Sequence, residues 1–190
     1  MQVFNKDQYC EGLVAHYETY FQAKGKRLER IGDPLSKLAR EFFVLMIPPN
    51  KVRSFFIFCT IGMSCDRLDE NLIELFVYSR EPSDSINELL TFCASFHRTG
   101  NAIGLNHTVN IGKPWIGDSE CDHGFISLPY LDGEALEQFH FGDRVIHNYW
   151  YIPITKRERD FKVSNGAEKL EVAFEETQFD YLDPGRQSVV

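Results

Sequence analysis

The residues best suited to chemistry in this chain are Cys121 and His123, which are two positions apart, together with His107 further upstream. Thiolate sulfur and imidazole nitrogen are ligands that zinc accepts, and a cysteine beside a histidine can act as a nucleophile with its general base. Structural zinc sites usually present ligands in close pairs, however, and a nucleophile needs a third group that orients its base. Because the sequence shows neither arrangement, we expect no metal, no cofactor and no catalytic residue. A metal-dependent hydrolase that uses these three side chains is the alternative.

Motifs for nucleotide binding and for common hydrolases are missing from the chain. It contains no GxGxxG or GxxxxGKS/T phosphate loop, no HExxH and no GxSxG. The five cysteines are widely spaced and form no CxxC pair, which is typical of reduced structural thiols. The sequence therefore favours a protein that is not an enzyme.

A loop with the composition of a recognition element surrounds Trp115. It reads GKPWIGDS, with Gly112 and Gly117 on either side of the tryptophan and with Asp118 and Ser119 directly after it. A rigid loop that displays a large aromatic side chain beside a carboxylate is well suited to partner binding. The alternative is a tryptophan that folds back over the edge of a sheet.

A second aromatic group lies on the strand expected over 145–154. The alternation of side chains along a strand sends His147, Tyr149 and Tyr151 to one face and Trp150 to the other. Exposed tyrosine rings would suit a protein interface, since tyrosine and tryptophan are common interface anchors. Rings packed between the sheet and its helices would instead be structural. We predict Tyr149 and Tyr151 as partner-binding residues and keep the structural alternative open.

Size and charge limit the classes of partner. The chain has 190 residues, 43% of them apolar, and a formal net charge of -8. That size predicts one domain over residues 1–190, and the acidic balance disfavours nucleic acid while it suits a basic protein partner. The longest nearly apolar run, 55–63, is shorter than the roughly 20 residues of a membrane-spanning helix, and the first residues lack a secretory signal. We expect a cytoplasmic protein without membrane association.

Hydrophobic periodicity and capping residues predict an α+β fold. Three helices are expected over 6–23, 83–98 and 155–177, with a break in the last one near Gly166. Each begins at a capping pair: Asn5 with Gln8, Ser85 with Glu88, and Thr155 with Glu158. Runs rich in β-branched and aromatic residues predict strands over 27–31, 41–47, 52–61, 72–79, 107–111, 124–130 and 145–154. This order favours a mixed, mainly antiparallel sheet packed with about three helices.

Four blocks of the sequence resemble the suppressor-of-fused domain family. They are IELFVYSREPSD (73–84), HTVNIGKPWIGDSECDHGFISLPY (107–130), IPITKRERDF (152–161) and FDYLDPGRQSVV (179–190). The blocks follow one another in order along the chain, which makes a chance match implausible. The chain is similar to free-standing bacterial members of that family.

The resemblance implies a protein-binding fold with no established chemistry. Bacterial members are similar to immunity proteins that bind and neutralise a cognate polymorphic toxin, so a basic toxin domain is the expected partner. Larger animal members sequester Gli-type transcription factors with the help of a second domain, which this chain is expected to lack. A sequestering or scaffolding role is therefore the alternative. The animal fold places the partner around Trp115–Ser119, partly as a strand added to an exposed sheet edge. Phe179 and Tyr181 are expected to dock the C-terminal tail.

Overall fold

The computed structural model describes residues 5–29, 38–65, 67–99 and 102–190. Within these ranges the helices are α1 (Lys6–Phe21), α2 (Asp84–Thr99), α3 (Glu134–Glu137), α4 (Lys156–Asn165) and α5 (Ala167–Thr177). The strands are β1 (Lys26–Leu28), β2 (Phe43–Ile47), β3 (Phe56–Ile61), β4 (Ile73–Ser79), β5 (Thr108–Asn110), β6 (His123–Ser127), β7 (Gln138–Phe141) and β8 (Arg144–Ile154).

All eight strands belong to one sheet, in the order β1-β2-β3-β4-β8-β6-β5, and β7 pairs with β8. Every neighbouring pair is antiparallel except β4 and β8, which run parallel with Leu75 opposite Tyr149. Strand β8 is the long central strand, because β7 pairs with its first residues and β6 pairs with its last residues. The predicted α+β fold with a mixed, mainly antiparallel sheet is confirmed.

Helix α1 covers one face of the sheet and begins where its capping residue predicts. The Asn5 side chain accepts a hydrogen bond from the backbone N–H of Gln8, and this satisfies one free donor of the first turn. The helix ends at Gln22, whose left-handed backbone (φ 54°) stops it slightly before the predicted Ala23. The buried stripe of α1 includes Tyr9 and Tyr17, so the helical spacing of its aromatic residues marks the core side.

A buried carboxylate connects α1 to the sheet. Glu74 accepts hydrogen bonds from the hydroxyls of Tyr9 (2.7 Å) and Thr60 (2.6 Å). It also accepts from the backbone N–H groups of Met63 (3.1 Å) and Ser64 (3.3 Å). Although these four bonds favour the ionised form, complete burial outweighs them and raises the pKa of Glu74 to about 7.

Helix α2 covers the opposite face of the sheet. Its Cys93 lies close to Tyr151 of β8. Side chains alternate between the two faces along a strand, and Tyr151 is on the face that does not contact α1. The helix spans Asp84–Thr99, within one residue of the predicted 83–98 at each end. The hydroxyl of Ser83 accepts from the N–H of Ser85, so the predicted pairing of Ser85 with Glu88 as a capping box is wrong.

The third predicted helix is confirmed together with its break. Thr155 and Glu158 form a complete capping box at the start of α4. Gly166 then separates α4 from α5, because its φ of 95° is not helical. Residues with a side chain rarely adopt this conformation, which explains the glycine at the break. Sequence patterns missed the short α3 and the β7 strand. Arg30 and Ile31, in the first predicted strand, lie outside the described residues. No helix in the described ranges is long and apolar enough to cross a membrane.

Candidate protein-binding surfaces

The loop over 111–122 packs Trp115 into the protein rather than displaying it. The side chain is 2% exposed, and its backbone N–H donates to the carbonyl of Cys121 at 3.0 Å. Positive φ angles at Gly112 (75°) and Gly117 (52°) turn the chain on both sides of the tryptophan. Ser119 is also buried, and its hydroxyl accepts from the N–H of Cys121. The expectation that Trp115 and Ser119 contact a partner directly is therefore corrected, and the fold-back alternative describes the loop.

Tyr149 and Tyr151 are likewise part of the packed sheet. Their exposed fractions are 9% and 0%, so neither ring is available to a partner. Tyr151 lies across Gly124 of β6, where a Cβ atom would come within 2.0 Å of the tyrosine ring. A glycine at this position is what allows the ring to lie flat on the neighbouring strand. The structural alternative for these two tyrosines replaces the partner-binding prediction.

Asp118 is the predicted partner-binding residue that the structure leaves on the surface. It is exposed at the turn of the loop, next to the exposed Gly117. Lys113, in the same loop, forms an ion pair with Glu88 of α2 at 2.6 Å, so the loop is tied to the helix on that side. A carboxylate on a loop fixed by a buried tryptophan can meet a partner with little loss of conformational freedom.

The outer edge of β5 is an open edge of the sheet. Val109 of β5 pairs with Gly124 of β6. On either side of this pair, the N–H of Ile126 donates to the carbonyl of His107, and the N–H of Ile111 donates to the carbonyl of Asp122. Because hydrogen bonding alternates along an antiparallel strand, the backbone groups of the two residues beside Val109 point away from β6. Those residues are Thr108 and Asn110. Within the described ranges no strand pairs with that side, so the edge can accept an added strand.

The candidate metal ligands form no site for an ion. Within the described ranges there is no group of three or more His, Cys, Asp or Glu side chains that could hold a metal. Cys121 is 1% exposed, and burial raises the pKa of its thiol, which disfavours the thiolate that a nucleophile requires. His123 is buried with its Nδ1 2.6 Å from the carboxylate of Asp122, whereas His107 is exposed. The geometry thus offers the hydrolase alternative no activated nucleophile.

A second surface feature is a cavity of about 600 Å³ beside α5, here named the α5 groove. The sheet contributes Ser127, Trp150 and Ile152 to it, and α5 contributes Glu168, Glu171, Val172, Phe174 and Glu175. The loop after β6 contributes Tyr130 and Leu131, and the tail contributes Gln178, Phe179 and Tyr181. The groove is thus built from three stretches of the chain, 127–131, 150–152 and 168–181.

Apolar side chains and carboxylates both reach solvent along the α5 groove. Tyr130 is 58% exposed, Leu131 52% and Val172 45%. Glu171 accepts a hydrogen bond from the Ser127 hydroxyl at 3.0 Å across the groove. Partial burial and the adjacent Glu171 carboxylate raise the pKa of Tyr130 to about 12. The groove therefore combines an apolar interior with an acidic helix.

The loop that carries Tyr130 and Leu131 is held by the buried carboxylate of Asp132. Tyr20 of α1 donates its hydroxyl to the backbone carbonyl of Asp132 at 2.9 Å. Arg53 forms an ion pair with the carboxylate, and the hydroxyl of Tyr78 donates to it as well. Because this aspartate side chain is fully buried and has a guanidinium partner, it anchors the loop to the rest of the protein.

The tail that closes the groove is fixed by a buried ion pair. Arg186 donates through Nη1 to Oε1 of Glu158 at 2.7 Å and through Nη2 to Oε2 at 2.9 Å. Glu158 also accepts from the backbone N–H of Val189 at 3.0 Å. Phe179 stacks on Phe174 with ring centroids 4.3 Å apart, as expected for a docked tail. The sequence predicted the docking of Phe179 and the cap of Thr155 with Glu158. It did not predict the role of Arg186, whose only signal was an arginine within PGRQSVV.

Comparison with known proteins identifies what the fold is similar to. The family model described as suppressor of fused protein (SUFU) matches residues 39–187. The crystal structure of a SUFU homolog from Neisseria gonorrhoeae superposes with a TM-score of 0.84 at 29% identity, covering 97% of this chain and 98% of that chain. A search of the curated proteins found no match.

Two more distant structures share the fold. The crystal structure of the Sufu-Fu complex superposes with a TM-score of 0.71 at 11% identity, covering 95% of this chain and 92% of that chain. Drosophila Suppressor of Fused superposes with a TM-score of 0.67 at 10% identity, covering 95% of this chain and 51% of that chain. At this level of identity the likeness concerns the fold alone.

Proposed function

The chain belongs to the suppressor of fused family, and on that premise we propose that it is a protein-binding domain that acts as an immunity protein. In this role it binds a cognate polymorphic toxin and neutralises it. The solved Sufu-Fu complex supports a protein-binding role, because it shows a protein of the same fold in complex with another protein. The bacterial source of the similar Neisseria gonorrhoeae homolog is compatible with the immunity role.

The observation that carries the proposal is the open edge of β5. An extended segment of a partner can pair with the outward backbone groups of Thr108 and Asn110, which supplies affinity without requiring a particular side chain. Asp118 stands on the loop that follows β5 and is exposed to such a partner. The chain's net charge of -8 favours encounter with a basic toxin domain, since opposite fields speed association.

Binding without catalysis agrees with the chemistry of the described residues. Cys121, the cysteine of the hydrolase alternative, is buried, and its thiol pKa is raised. An activated catalytic cysteine requires a lowered pKa and access to substrate. The described geometry therefore favours a partner-binding role over the hydrolase.

A substitution that closes the edge without unfolding the sheet tests the proposal. Thr108→Pro removes an outward N–H and leaves the pairing of Val109 with Gly124 in place, because proline is tolerated where a strand's N–H faces solvent. Thr108→Ser is the matched control, since it alters the same side chain and keeps the N–H. Tagged wild-type protein and both variants are used to capture partners from the native host's lysate, and the partners are identified by mass spectrometry.

We expect a stoichiometric basic toxin domain with wild type and with Thr108→Ser, and its loss with Thr108→Pro. Expressed alone, that domain should arrest growth, and co-expression of wild type should restore growth. A captured partner that is harmless when expressed alone would reject the immunity role and favour a regulatory scaffold. Equal capture by the proline variant would reject the edge as the binding surface.

A further inference from the structure

We propose that the α5 groove is a second binding surface and that it takes a basic protein segment with apolar anchor side chains. No residue of β5 or of the loop over 111–122 lines the groove, so this surface is separate from the open sheet edge. The inference does not depend on the partner being a toxin. It rests on the shape, the exposed apolar side chains and the charge of the groove.

The apolar part of the groove can hold a few large side chains. Its volume of about 600 Å³ lies within the range of established binding cavities. Trp150 and Ile152 form its sheet side, while Leu131 and Val172 stand at its rim with half of their surface exposed or nearly so. Exposed apolar side chains gathered in one concave groove are a feature that protein-binding and ligand-binding grooves share.

The charge of the groove selects the kind of segment. Glu168, Glu171 and Glu175 follow a spacing of three and four residues, which places them along one side of α5. The described residues that line the groove include these three carboxylates and no lysine, arginine or histidine. A segment with lysine or arginine beside its apolar anchors would place its cations against this row of glutamates.

Other occupants fit the same surface poorly. A second copy of this chain would bring another row of glutamates against the first, in a protein whose net charge is already -8. A fatty acid would fit the apolar interior, but its carboxylate would be repelled by the rim. Charge complementarity therefore favours a cationic protein segment over both.

Both ends of the groove are fixed before binding. The buried Asp132 holds the loop with Tyr130 and Leu131, and the ion pair of Glu158 with Arg186 holds the tail. A surface that is already ordered loses little conformational entropy when a segment docks. The cost of ordering then falls on the partner, which suits recognition of a short flexible segment or an amphipathic helix.

The test uses a short amphipathic helical peptide of leucine and lysine as the probe, with a leucine and glutamate peptide of the same pattern as its counterpart. Binding is measured by titration calorimetry and by the fluorescence of Trp150, which lines the groove. A Trp115→Phe background removes the signal of the other tryptophan. The test variant is Glu168→Lys with Glu175→Lys.

The matched control is Glu70→Lys with Glu176→Lys, which makes the same change of net charge at exposed positions outside the groove. Thermal unfolding of every variant establishes that the fold is intact. We expect the lysine peptide to change the Trp150 emission and the groove variant to weaken its binding by about tenfold. The control should lose less than about twofold, and the glutamate peptide should not bind.

Three results would overturn the proposal. Equal weakening by the groove and control variants would mean that only overall charge is sensed. Binding with no change in Trp150 emission would place the peptide elsewhere. A concentration-dependent dimer that the groove variant dissociates, seen by light scattering, would assign the groove to a second copy. None of these results depends on the toxin or on β5, so failure here is separate from failure of the proposed function.

Discussion

The open edge of β5 and the α5 groove offer a partner two different chemistries. The edge presents backbone N–H and C=O groups, which recognise an extended conformation more than a particular sequence. The groove presents apolar side chains beside Glu168, Glu171 and Glu175, which select both side-chain type and charge. A partner that used both would gain affinity at the edge and specificity at the groove.

The two surfaces also differ in how they are supported. A buried tryptophan and two glycine turns shape the loop beside β5, so that surface depends on packing. Two ion pairs shape the groove: a partly buried one between Asp132 and Arg53, and a buried one between Glu158 and Arg186. Substitutions can therefore damage one surface and spare the other.

The largest effect is expected from Arg186→Met, which should damage the groove selectively. It leaves the carboxylate of Glu158 buried without its cation and releases the tail, and such losses cost about 3–5 kcal/mol. Urea unfolding measures the change. The matched control is Arg80→Met, which breaks the exposed pair with Asp180 and should cost far less. Similar losses for the two variants would contradict the structural role of the buried pair.

Trp115→Ala should come next and should damage the β5 side. Removing a 2% exposed tryptophan leaves a cavity and is expected to cost about 3 kcal/mol in the free energy of unfolding. Trp115→Phe, which keeps a ring in the same space, should lose much less. If Trp115→Ala unfolds at the same urea concentration as wild type, the tryptophan is displayed rather than packed.

The pH dependence of stability tests the buried Glu74 beneath α1, which belongs to neither binding surface. The pKa of Glu74 rises from its ordinary value of 4.5 to about 7 in the folded protein. Between these values the folded state keeps a proton that the unfolded state has lost, so stability should fall as pH rises, by on the order of 3 kcal/mol. Glu74→Gln should flatten this part of the stability curve. An unchanged slope in that variant would assign the effect to another group.

The smallest effect on stability is expected from Asp118→Lys. The side chain is exposed and away from both ion pairs that shape the groove, so the change in unfolding free energy should stay within about 0.5 kcal/mol. Capture of a basic partner should nevertheless weaken, because the substitution puts a cation beside the β5 edge. A large loss of stability, with binding lost only through unfolding, would remove Asp118 from the interface.

The sequence predicted most features that depend on neighbouring residues, although the equally local pairing of Ser85 with Glu88 is wrong. The cap at Asn5, the capping box of Thr155 with Glu158 and the break at Gly166 are local, and all three are confirmed. The loop around Trp115 shows the limit of such reasoning, because glycine turns can direct an aromatic side chain inward as well as outward. Its burial is decided by contacts between distant segments, which composition does not reveal.

The α5 groove illustrates the same limit. Glu175 is an exposed acidic residue of a helix, which in sequence looks like any solvated helix position and gives no sign of the groove beside it. The stretches 127–131, 150–152 and 168–181 come together only in the folded chain. Arg186 escaped notice for the same reason, since its partner Glu158 lies 28 residues away.

The most direct test of the central claim is the affinity of the captured partner for wild type, Thr108→Pro and Thr108→Ser, measured by titration calorimetry. The account predicts that Thr108→Pro weakens binding by more than about tenfold at an unchanged melting temperature. Thr108→Ser should bind like wild type. Equal affinity for all three proteins would contradict strand addition at β5 and leave the α5 groove as the surface to examine.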